Sequence, residues 1–189
     1  MNRKLLAIAP LLVFAFICVF LFQGLFANPR EIQTGRLGQS MPEFSLPDLM
    51  QDNKQWSNEQ LKGEVYLLNV WGTWCPTCLA ELGYLTKLRE QGIKIIGLYY
   101  VQGYDADFDG PFDMQALRSD VTNMLTRAGD PYQFNILDLH RTLSLDLGVS
   151  GAPETFLVDK SGTILLHHTG DINPRVWRAK FAPIMQELK

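Results

Sequence analysis

NVWGTWCPTC, residues 69–78, contains two of the three cysteines of this chain. An apolar run, VYLLNVW at 65–71, leads into it, and leucines follow at every third position, at Leu79, Leu82, Leu85 and Leu88. The apolar run is typical of a strand buried on both faces, and the leucine spacing favours a helix. Pro76 suits the first turn of that helix, because its missing N–H is not needed there. The two cysteines are therefore predicted to lie where a buried strand passes into a helix.

The spacing of these cysteines indicates redox chemistry. Cys75 and Cys78 are three residues apart, so a disulfide can close across one helical turn. Unpaired N–H groups and the helix dipole favour an anion at the helix start, which predicts a lowered thiol pKa for Cys75. We therefore expect Cys75 to attack a partner disulfide and Cys78 to resolve the mixed disulfide.

Half of a zinc site is the alternative interpretation of this motif. A zinc site needs further thiolate or imidazole ligands, and the sequence contains no second CxxC. His167 and His168 are neighbours in a predicted strand, where adjacent side chains point to opposite faces. The sequence therefore favours a redox pair and no metal.

The rest of the chain predicts an α/β fold with a mixed sheet between helices. A second buried strand is expected over 93–101 and a helix over 112–128. The turn residues DKSG at 159–162 separate two short apolar runs, which predicts a β-hairpin. Pro174 opens a last helix, which Pro183 should kink or restart. The order β-α-β-α, then a hairpin, then a helix, is typical of this class.

Composition excludes several classes of protein. The 189 residues are 47% hydrophobic and 20% charged, with a net charge of −3. Disordered and collagen-like chains have other compositions, and three cysteines are too few for a disulfide-stapled miniprotein. The chain has no excess of basic residues that would attract nucleic acid.

The amino terminus predicts a membrane anchor. Residues 5–26 carry no charge, and as a helix they would span about 33 Å, close to the ~30 Å hydrocarbon core. Arg3 and Lys4 precede the run, which places the rest of the chain across the membrane. A cleaved signal peptide is the alternative, but its apolar run is usually shorter and 25–29 is a poor cleavage site. We expect an anchor over 1–27, a tether over 28–40 and a soluble domain over 41–189, which begins with an edge strand or hairpin at 41–49.

Three motifs together resemble one protein family. NVWGTWCPTC at 69–78, GAPET at 151–155 and DINPRVW at 171–177 are similar to motifs of the CcmG/DsbE proteins. Those are membrane-anchored, thioredoxin-like disulfide reductases of bacterial cytochrome c maturation. The likeness covers about 36–189 and the anchor. WCxxC alone marks the wider superfamily, whereas the combination of the three motifs is much narrower.

The resemblance implies a thioredoxin-like fold with its soluble domain in the periplasm and its anchor in the bacterial inner membrane. Electrons would arrive from a membrane thiol transporter of the DsbD or CcdA type. They would pass to the CxxCH site of apocytochrome c or to a CcmH-like partner. The resemblance implies no cofactor.

The family pattern also implies roles for residues near the disulfide. Pro153 would be a cis-proline that holds the Ala152 backbone extended beside the cysteines, where a substrate strand could pair. An ordinary turn proline is the alternative. Trp74 would shield the disulfide or help a partner to dock, and simple packing is its alternative.

Two glutamates resemble acidic residues of the family's active site. Glu81 follows Cys78 by three residues on one helical face, and Glu154 follows the proline directly. A carboxylate near a thiol disfavours the thiolate and makes the dithiol a better reductant. One of them could accept the proton of Cys78 during resolution, and two solvated glutamates are the alternative. Asn69 stands where thioredoxin has a buried aspartate, so the role of base must pass elsewhere.

An acidic segment departs from the family pattern. Residues 102–113, QGYDADFDGPFD, are longer and more acidic than the matching loop. Asp105, Asp107, Asp109 and Gly110 imitate the first half of a calcium-binding EF-hand loop. The twelfth position is Ala116 instead of a bidentate glutamate, which favours a solvated insertion that could adjust partner choice.

Three other functions are alternatives to a maturation reductant. One is a general periplasmic disulfide oxidant or reductase, and another is a module that docks maturation partners without turnover. The third is a peroxidase, because MPEFSLPDL at 41–49 also begins peroxiredoxin-like chains. The sequence has no PxxxTxxC peroxidatic motif, which makes the peroxidase the weakest of the three.

Overall fold

The computed structural model describes most of the chain. The described residues are 3–26, 36–105 and 107–188. The chain divides into two compact units, 1–32 and 33–189. Each unit is described by itself below, and most of the predicted tether lies outside the described residues.

The first unit contains a single described element, helix α1 (Arg3–Phe26). The side chains of α1 are described for residues 10–22, and the large apolar ones among them are exposed. No helix of the described residues is both long and apolar enough to cross a membrane.

The second unit is built on a five-stranded mixed sheet. Its strands are β3 (Tyr66–Trp71), β4 (Ile95–Tyr100), β5 (Asn135–Asp138), β6 (Glu154–Val158) and β7 (Ile164–Thr169). Their order across the sheet is β5-β4-β3-β6-β7. β3, β4 and β5 run parallel, whereas β6 and β7 are antiparallel to their neighbours. The predicted mixed sheet and the hairpin around 159–162 are both present.

Helices connect and cover these strands. They are α2 (Asn58–Leu61), α3 (Pro76–Glu90), α4 (Met114–Ala128), α5 (Thr142–Asp146), α6 (Pro174–Val176) and α7 (Ala182–Glu187). A π turn, Trp177–Phe181, joins α6 to α7, and Pro183 lies in the first turn of α7. Proline lacks the N–H that an α-helix needs, so the pattern changes before it and resumes as α7.

The segment predicted as an edge strand or hairpin, 41–49, supplies only the first strand of a hairpin, and the second strand lies beyond it. Strands β1 (Ser45–Pro47) and β2 (Gln55–Ser57) pair antiparallel in a separate two-stranded sheet. Asp48 follows β1 and is buried, and its carboxylate accepts hydrogen bonds from the backbone of Met50 and from the indole of Trp56. These bonds fix the turn that joins the two strands.

The core lies on both faces of the large sheet. Leu67 and Trp71 of β3 face one apolar cluster with α3, while Leu68 and Val70 face a second cluster on the other side. Alternate side chains of a strand point to opposite faces, so a strand buried on both sides needs a continuous apolar sequence. Each fully buried side chain of this size contributes about 1.5–3 kcal/mol.

Candidate active site

The two cysteines lie at the start of α3, at the end of the sheet where β3 finishes. Cys75 is the N-cap residue and Pro76 occupies the first turn, as the sequence predicts. A disulfide joins Cys75 to Cys78, with 5.3 Å between their Cα atoms. Cys75 is 4% exposed, whereas Cys78 is fully buried. The Cys78 N–H donates to the Cys75 sulfur at 3.1 Å, which favours negative charge on that sulfur in the reduced protein.

The loop before β6 supplies the second side of the site. The Ala152–Pro153 peptide bond is cis. The Ala152 carbonyl oxygen lies 3.4 Å from the Cys75 sulfur, although the two residues are 77 positions apart in the chain. The structure therefore brings the Ala152 backbone to the sulfur that the sequence predicts as the nucleophile.

Trp74 is half-buried beside the disulfide. Its indole N–H donates to the Tyr100 carbonyl at 3.0 Å, and its ring packs edge-on against the Tyr100 ring. It also lines a groove of about 720 Å³ between α3 and α4, together with Leu79 and Met124. Leu79 is 43% exposed in this groove, so the first leucine of the predicted apolar face is a surface residue.

Glu81 is buried, so the solvated alternative is wrong for this residue. Its Oε1 atom accepts from the Asn69 amide at 2.9 Å, and its Oε2 atom accepts from the Ile172 N–H at 2.7 Å. The pKa of Glu81 is raised to about 7, because burial, with a smaller contribution from the charge of Asp171, outweighs the lowering by these two hydrogen bonds. The group therefore exchanges a proton near neutral pH.

Glu154 is also buried, and the solvated alternative is wrong here too. Its Oε1 atom accepts from the N–H and hydroxyl of Ser150 and from the Gly151 N–H, while its Oε2 atom lies 2.7 Å from His167 Nε2. Burial raises the pKa of Glu154, but the hydrogen bonds from His167 and Ser150 outweigh burial, and the net pKa lies below its ordinary value. Glu154 is therefore a fixed anion that holds the loop before the cis-proline.

Comparison with known proteins identifies the family. The Redoxin family matches residues 36–180. The thiol:disulfide interchange protein DsbE of Vibrio cholerae is 40% identical over 193 residues, which cover 100% of this chain and 97% of that protein. The chain belongs to the DsbE family. The DsbE protein of Escherichia coli is 37% identical over 193 residues, with 99% of this chain and 96% of that protein covered.

Solved structures confirm the thioredoxin-like fold of this DsbE-family chain. A thioredoxin domain of a thiol-disulfide oxidoreductase from Bacteroides vulgatus superimposes with a TM-score of 0.57 at 18% identity, covering 82% of this chain and 100% of that one. A secreted thiol-disulfide isomerase from Corynebacterium glutamicum gives a TM-score of 0.59 at 19% identity, covering 77% and 85%. The activity rests on the DsbE proteins at 37–40% identity and on the Cys75–Cys78 disulfide, which together show that the chain is a thiol–disulfide oxidoreductase.

The acidic insertion of this DsbE-family chain follows β4 and is described except for residue 106. The carboxylates of Asp105 and Asp109 accept backbone N–H groups from within the loop. The ring of Phe112 packs edge-on against Tyr104, whereas Phe108 is 86% exposed. The described residues contain no group of three or more side chains arranged to hold a metal ion.

Sequence reasoning missed His167 as a partner of Glu154. It considered His167 and His168 as metal ligands and expected them to face opposite ways, which they do. His167 stacks on Phe156, whereas His168 packs edge-on against Phe181. His167 of β7 lies diagonally across from Glu154 of β6, and the predicted hairpin alone does not give this facing, because the strand register shifts between Leu157 and Val158.

Tyr132 was missed as well. It is buried in the segment before β5, and its hydroxyl donates to the Asn69 side-chain oxygen at 2.7 Å. Its ring stacks on Trp71, with 4.8 Å between the ring centroids. No local pattern marks this tyrosine, because its partners lie on β3, more than sixty residues earlier in the chain.

Proposed function

We propose that this chain is a membrane-anchored, periplasm-facing reductant of protein disulfides in cytochrome c maturation. One observation carries the proposal: the Cys75 sulfur lies at the start of α3 and beside the Ala152 carbonyl, which precedes a cis-proline. This arrangement places a nucleophilic sulfur next to a backbone segment that can receive an extended partner chain.

The reaction consists of two thiol–disulfide exchanges. The Cys75 thiolate attacks one sulfur of the partner disulfide, which breaks, and the other partner sulfur leaves as a thiolate. Cys78 then loses its proton and attacks Cys75, which releases the second partner thiolate and forms the Cys75–Cys78 disulfide. The partner gains two electrons, and a membrane thiol transporter of the DsbD or CcdA type returns two electrons to this chain.

Glu81 accepts the Cys78 proton in this scheme. It lies one turn after Cys78 on the same face of α3 and is buried with a pKa raised to about 7. Near neutral pH such a carboxylate can take up a proton and release it again. Glu154 has a different role, because its lowered pKa and its four hydrogen bonds keep it ionised.

Partner binding uses both sides of the disulfide. An extended segment of the partner lies along the Ala152 backbone before Pro153. The partner side chains next to that segment reach the groove beside Trp74. The partner is the CxxCH segment of apocytochrome c or a CcmH-like maturation protein, by analogy with the family. The nearby carboxylates disfavour the thiolates, so the dithiol donates electrons readily and the protein works as a reductant.

The amino terminus anchors the protein in the bacterial inner membrane. Residues 5–26 are uncharged, and they follow two basic residues that stay on the cytoplasmic side. The described apolar side chains of α1 are exposed, including Phe14, Phe16 and Phe20. A helix with apolar side chains exposed on every face suits a lipid surrounding.

Trapping the mixed disulfide tests the function. Cys78→Ser in the membrane-anchored full chain removes the internal attacker, so the bond between Cys75 and its partner should persist. Non-reducing gels and mass spectrometry should identify CxxCH-bearing apocytochromes or a CcmH-like protein, and reductant should release them. Cys75→Ser is the matched control and should trap nothing.

Two results would contradict parts of the proposal. Equal trapping by both serine variants would overturn the assignment of nucleophile and resolver. Trapping of unrelated secreted proteins alone would leave the chemistry intact and overturn the role in cytochrome maturation.

A further inference from the structure

We propose that Tyr132 is a positioning residue for Glu81 and acts through Asn69. The inference rests on the proposed proton transfer from Cys78 to Glu81. Tyr132 lies outside the CxxC motif. Its hydroxyl helps to fix which end of the Asn69 amide faces the buried Glu81 carboxylate.

The directions of the hydrogen bonds are forced by chemistry. The Asn69 side-chain oxygen can only accept, so the Tyr132 hydroxyl donates to it at 2.7 Å. The two amide hydrogens then go to Glu81 Oε1 at 2.9 Å and to Thr155 Oγ1 at 3.0 Å. A flipped amide would place oxygen against the Glu81 carboxylate and leave nitrogen against the tyrosine hydroxyl. The flipped amide is disfavoured by oxygen–oxygen repulsion at ionised Glu81, and the Tyr132 hydroxyl supports the observed orientation by donating to the Asn69 oxygen.

Tyr132 is itself held in place. It is buried, its ring stacks on Trp71, and its backbone N–H donates to the Asp130 carboxylate at 3.0 Å. Burial raises the pKa of its hydroxyl well above the ordinary value, and Glu81 and Asp130 raise it further. The hydroxyl is thus protonated, and able to donate, at every pH at which the exchange runs.

The balance between the charged and the neutral form of Glu81 depends on the Asn69 amide, which donates to its carboxylate. Burial and Asp171 raise its pKa, whereas the hydrogen bonds from the Ile172 N–H and the Asn69 amide lower it. Among the described residues, Asp171 after β7 and Tyr132 before β5 interact electrostatically with Glu81, and Cys78 precedes it by one turn on α3. Loss of the oriented amide should raise the pKa of Glu81 further, because a hydrogen bond to the charged form favours that form.

The experiment isolates the step in which Cys78 loses its proton. The reduced protein is mixed with a symmetrical nitrobenzoate disulfide. Attack by Cys75 breaks the probe disulfide and releases one coloured thiolate. Attack by Cys78 on Cys75 then releases the second thiolate and forms the internal disulfide. The rate of the second release is measured against pH by stopped-flow absorbance.

The expected result is a shift along the pH axis of the part of the rate profile that follows the ionisation of Glu81. In the wild type the second release should rise with pH around the Glu81 pKa of about 7. Tyr132→Phe should move that midpoint upward by roughly one pH unit while the rate at high pH is kept. Asn69→Leu removes the donor itself and should shift the midpoint at least as far. Tyr66→Phe removes a buried hydroxyl from the opposite end of β3 and should leave the midpoint unchanged.

Glu81→Gln separates this inference from the proposed function. If Glu81 accepts the proton, the limb near pH 7 disappears in Glu81→Gln, and adding Tyr132→Phe to that variant changes nothing further. A limb that persists in Glu81→Gln overturns the proposed proton transfer. A limb that is lost in Glu81→Gln but unshifted in Tyr132→Phe, or a uniform slowing at every pH, overturns the positioning role alone.

Discussion

Glu81 on α3 and Glu154 on β6 are both buried carboxylates, yet their surroundings move their pKa values in opposite directions. Glu81 accepts two hydrogen bonds, and burial dominates, so its pKa rises to about 7. Glu154 accepts four, and these outweigh burial. The balance between burial and the hydrogen bonds and charges around each carboxylate thus decides whether it exchanges protons or holds structure.

The opposite pKa shifts also indicate different roles for Glu81 and Glu154, which the sequence could not distinguish. Glu154 binds the backbone of Ser150 and Gly151 and so fixes the loop that ends at Ala152. Glu81 binds a single backbone N–H, that of Ile172 after β7, and its raised pKa leaves it able to change charge near pH 7. In the proposed reaction, Glu154 shapes the surface that receives the partner, and Glu81 accepts the proton that the reaction moves.

The largest expected effect is that the buried Glu81 makes the folded protein less stable as the pH rises. Its folded pKa, about 7, lies above the ordinary value of 4.5, so the folded state binds the extra proton between these values. Its contribution is greatest below pH 4.5 and is lost as pH rises through 7. Urea unfolding of the oxidised protein should show the wild type losing roughly 2 to 3 kcal/mol more stability between pH 5 and pH 8 than Glu81→Gln loses.

Glu154→Gln is the matched variant for that measurement. The folded pKa of Glu154 is lowered, so its stabilisation is present above the ordinary value of 4.5 and is lost as pH falls through the folded pKa. The variant should therefore alter the acid side of the stability profile and leave the slope between pH 5 and pH 8 as in the wild type. If stability fell equally steeply between pH 5 and pH 8 in the wild type and in Glu81→Gln, the contrast drawn between Glu81 and Glu154 would be wrong.

The next effect concerns the partner of Glu154. The ionised carboxylate carries no hydrogen, so His167 Nε2 must donate to it, and both side chains are buried. His167→Leu removes the donor and should lower the free energy of unfolding at pH 7 by about 2 kcal/mol. His167→Gln retains an N–H donor and should recover part of the loss. Chemical denaturation checks both variants, and a leucine variant as stable as the wild type would show that the pair contributes little.

The smallest effect is on the nucleophile. Glu154→Gln removes a negative charge from the segment that follows Pro153 and should lower the pKa of the Cys75 thiol by roughly half a pH unit or less. A more stable thiolate makes the disulfide form less readily, so the protein should become a weaker reductant. Thiolate absorbance against pH and redox equilibration with glutathione measure the two consequences. An unchanged pKa and potential would restrict Glu154 to holding the loop.

Local patterns predicted the elements that carry the cysteines. The strand expected over 65–71 and the helix expected from Pro76 agree with β3 and α3 to within a residue at each end. A buried strand and an amphipathic helix each leave a periodic signal in their own sequence, and proline marks the helix start. The predicted cis-proline came from resemblance to a family motif and not from the spacing of residues.

Long-range contacts explain what the sequence could not predict. Glu81 is covered by the backbone of Ile172, which lies 91 residues later, so its burial depends on where the segment after β7 returns to the sheet. The facing of His167 and Glu154 depends on strand register, which shifts between Leu157 and Val158. A shift of one residue changes which side chains meet, and no local pattern reports it.

The slight exposure of Cys75 restricts how a partner can reach it. Only 4% of the residue is exposed, and the Ala152 carbonyl lies against its sulfur. Under the proposed function, a partner therefore has to present its cysteine on a segment that projects from its surface and extends along the Ala152 backbone. An unfolded client can offer such a segment anywhere along its chain, whereas a folded partner needs a protruding loop.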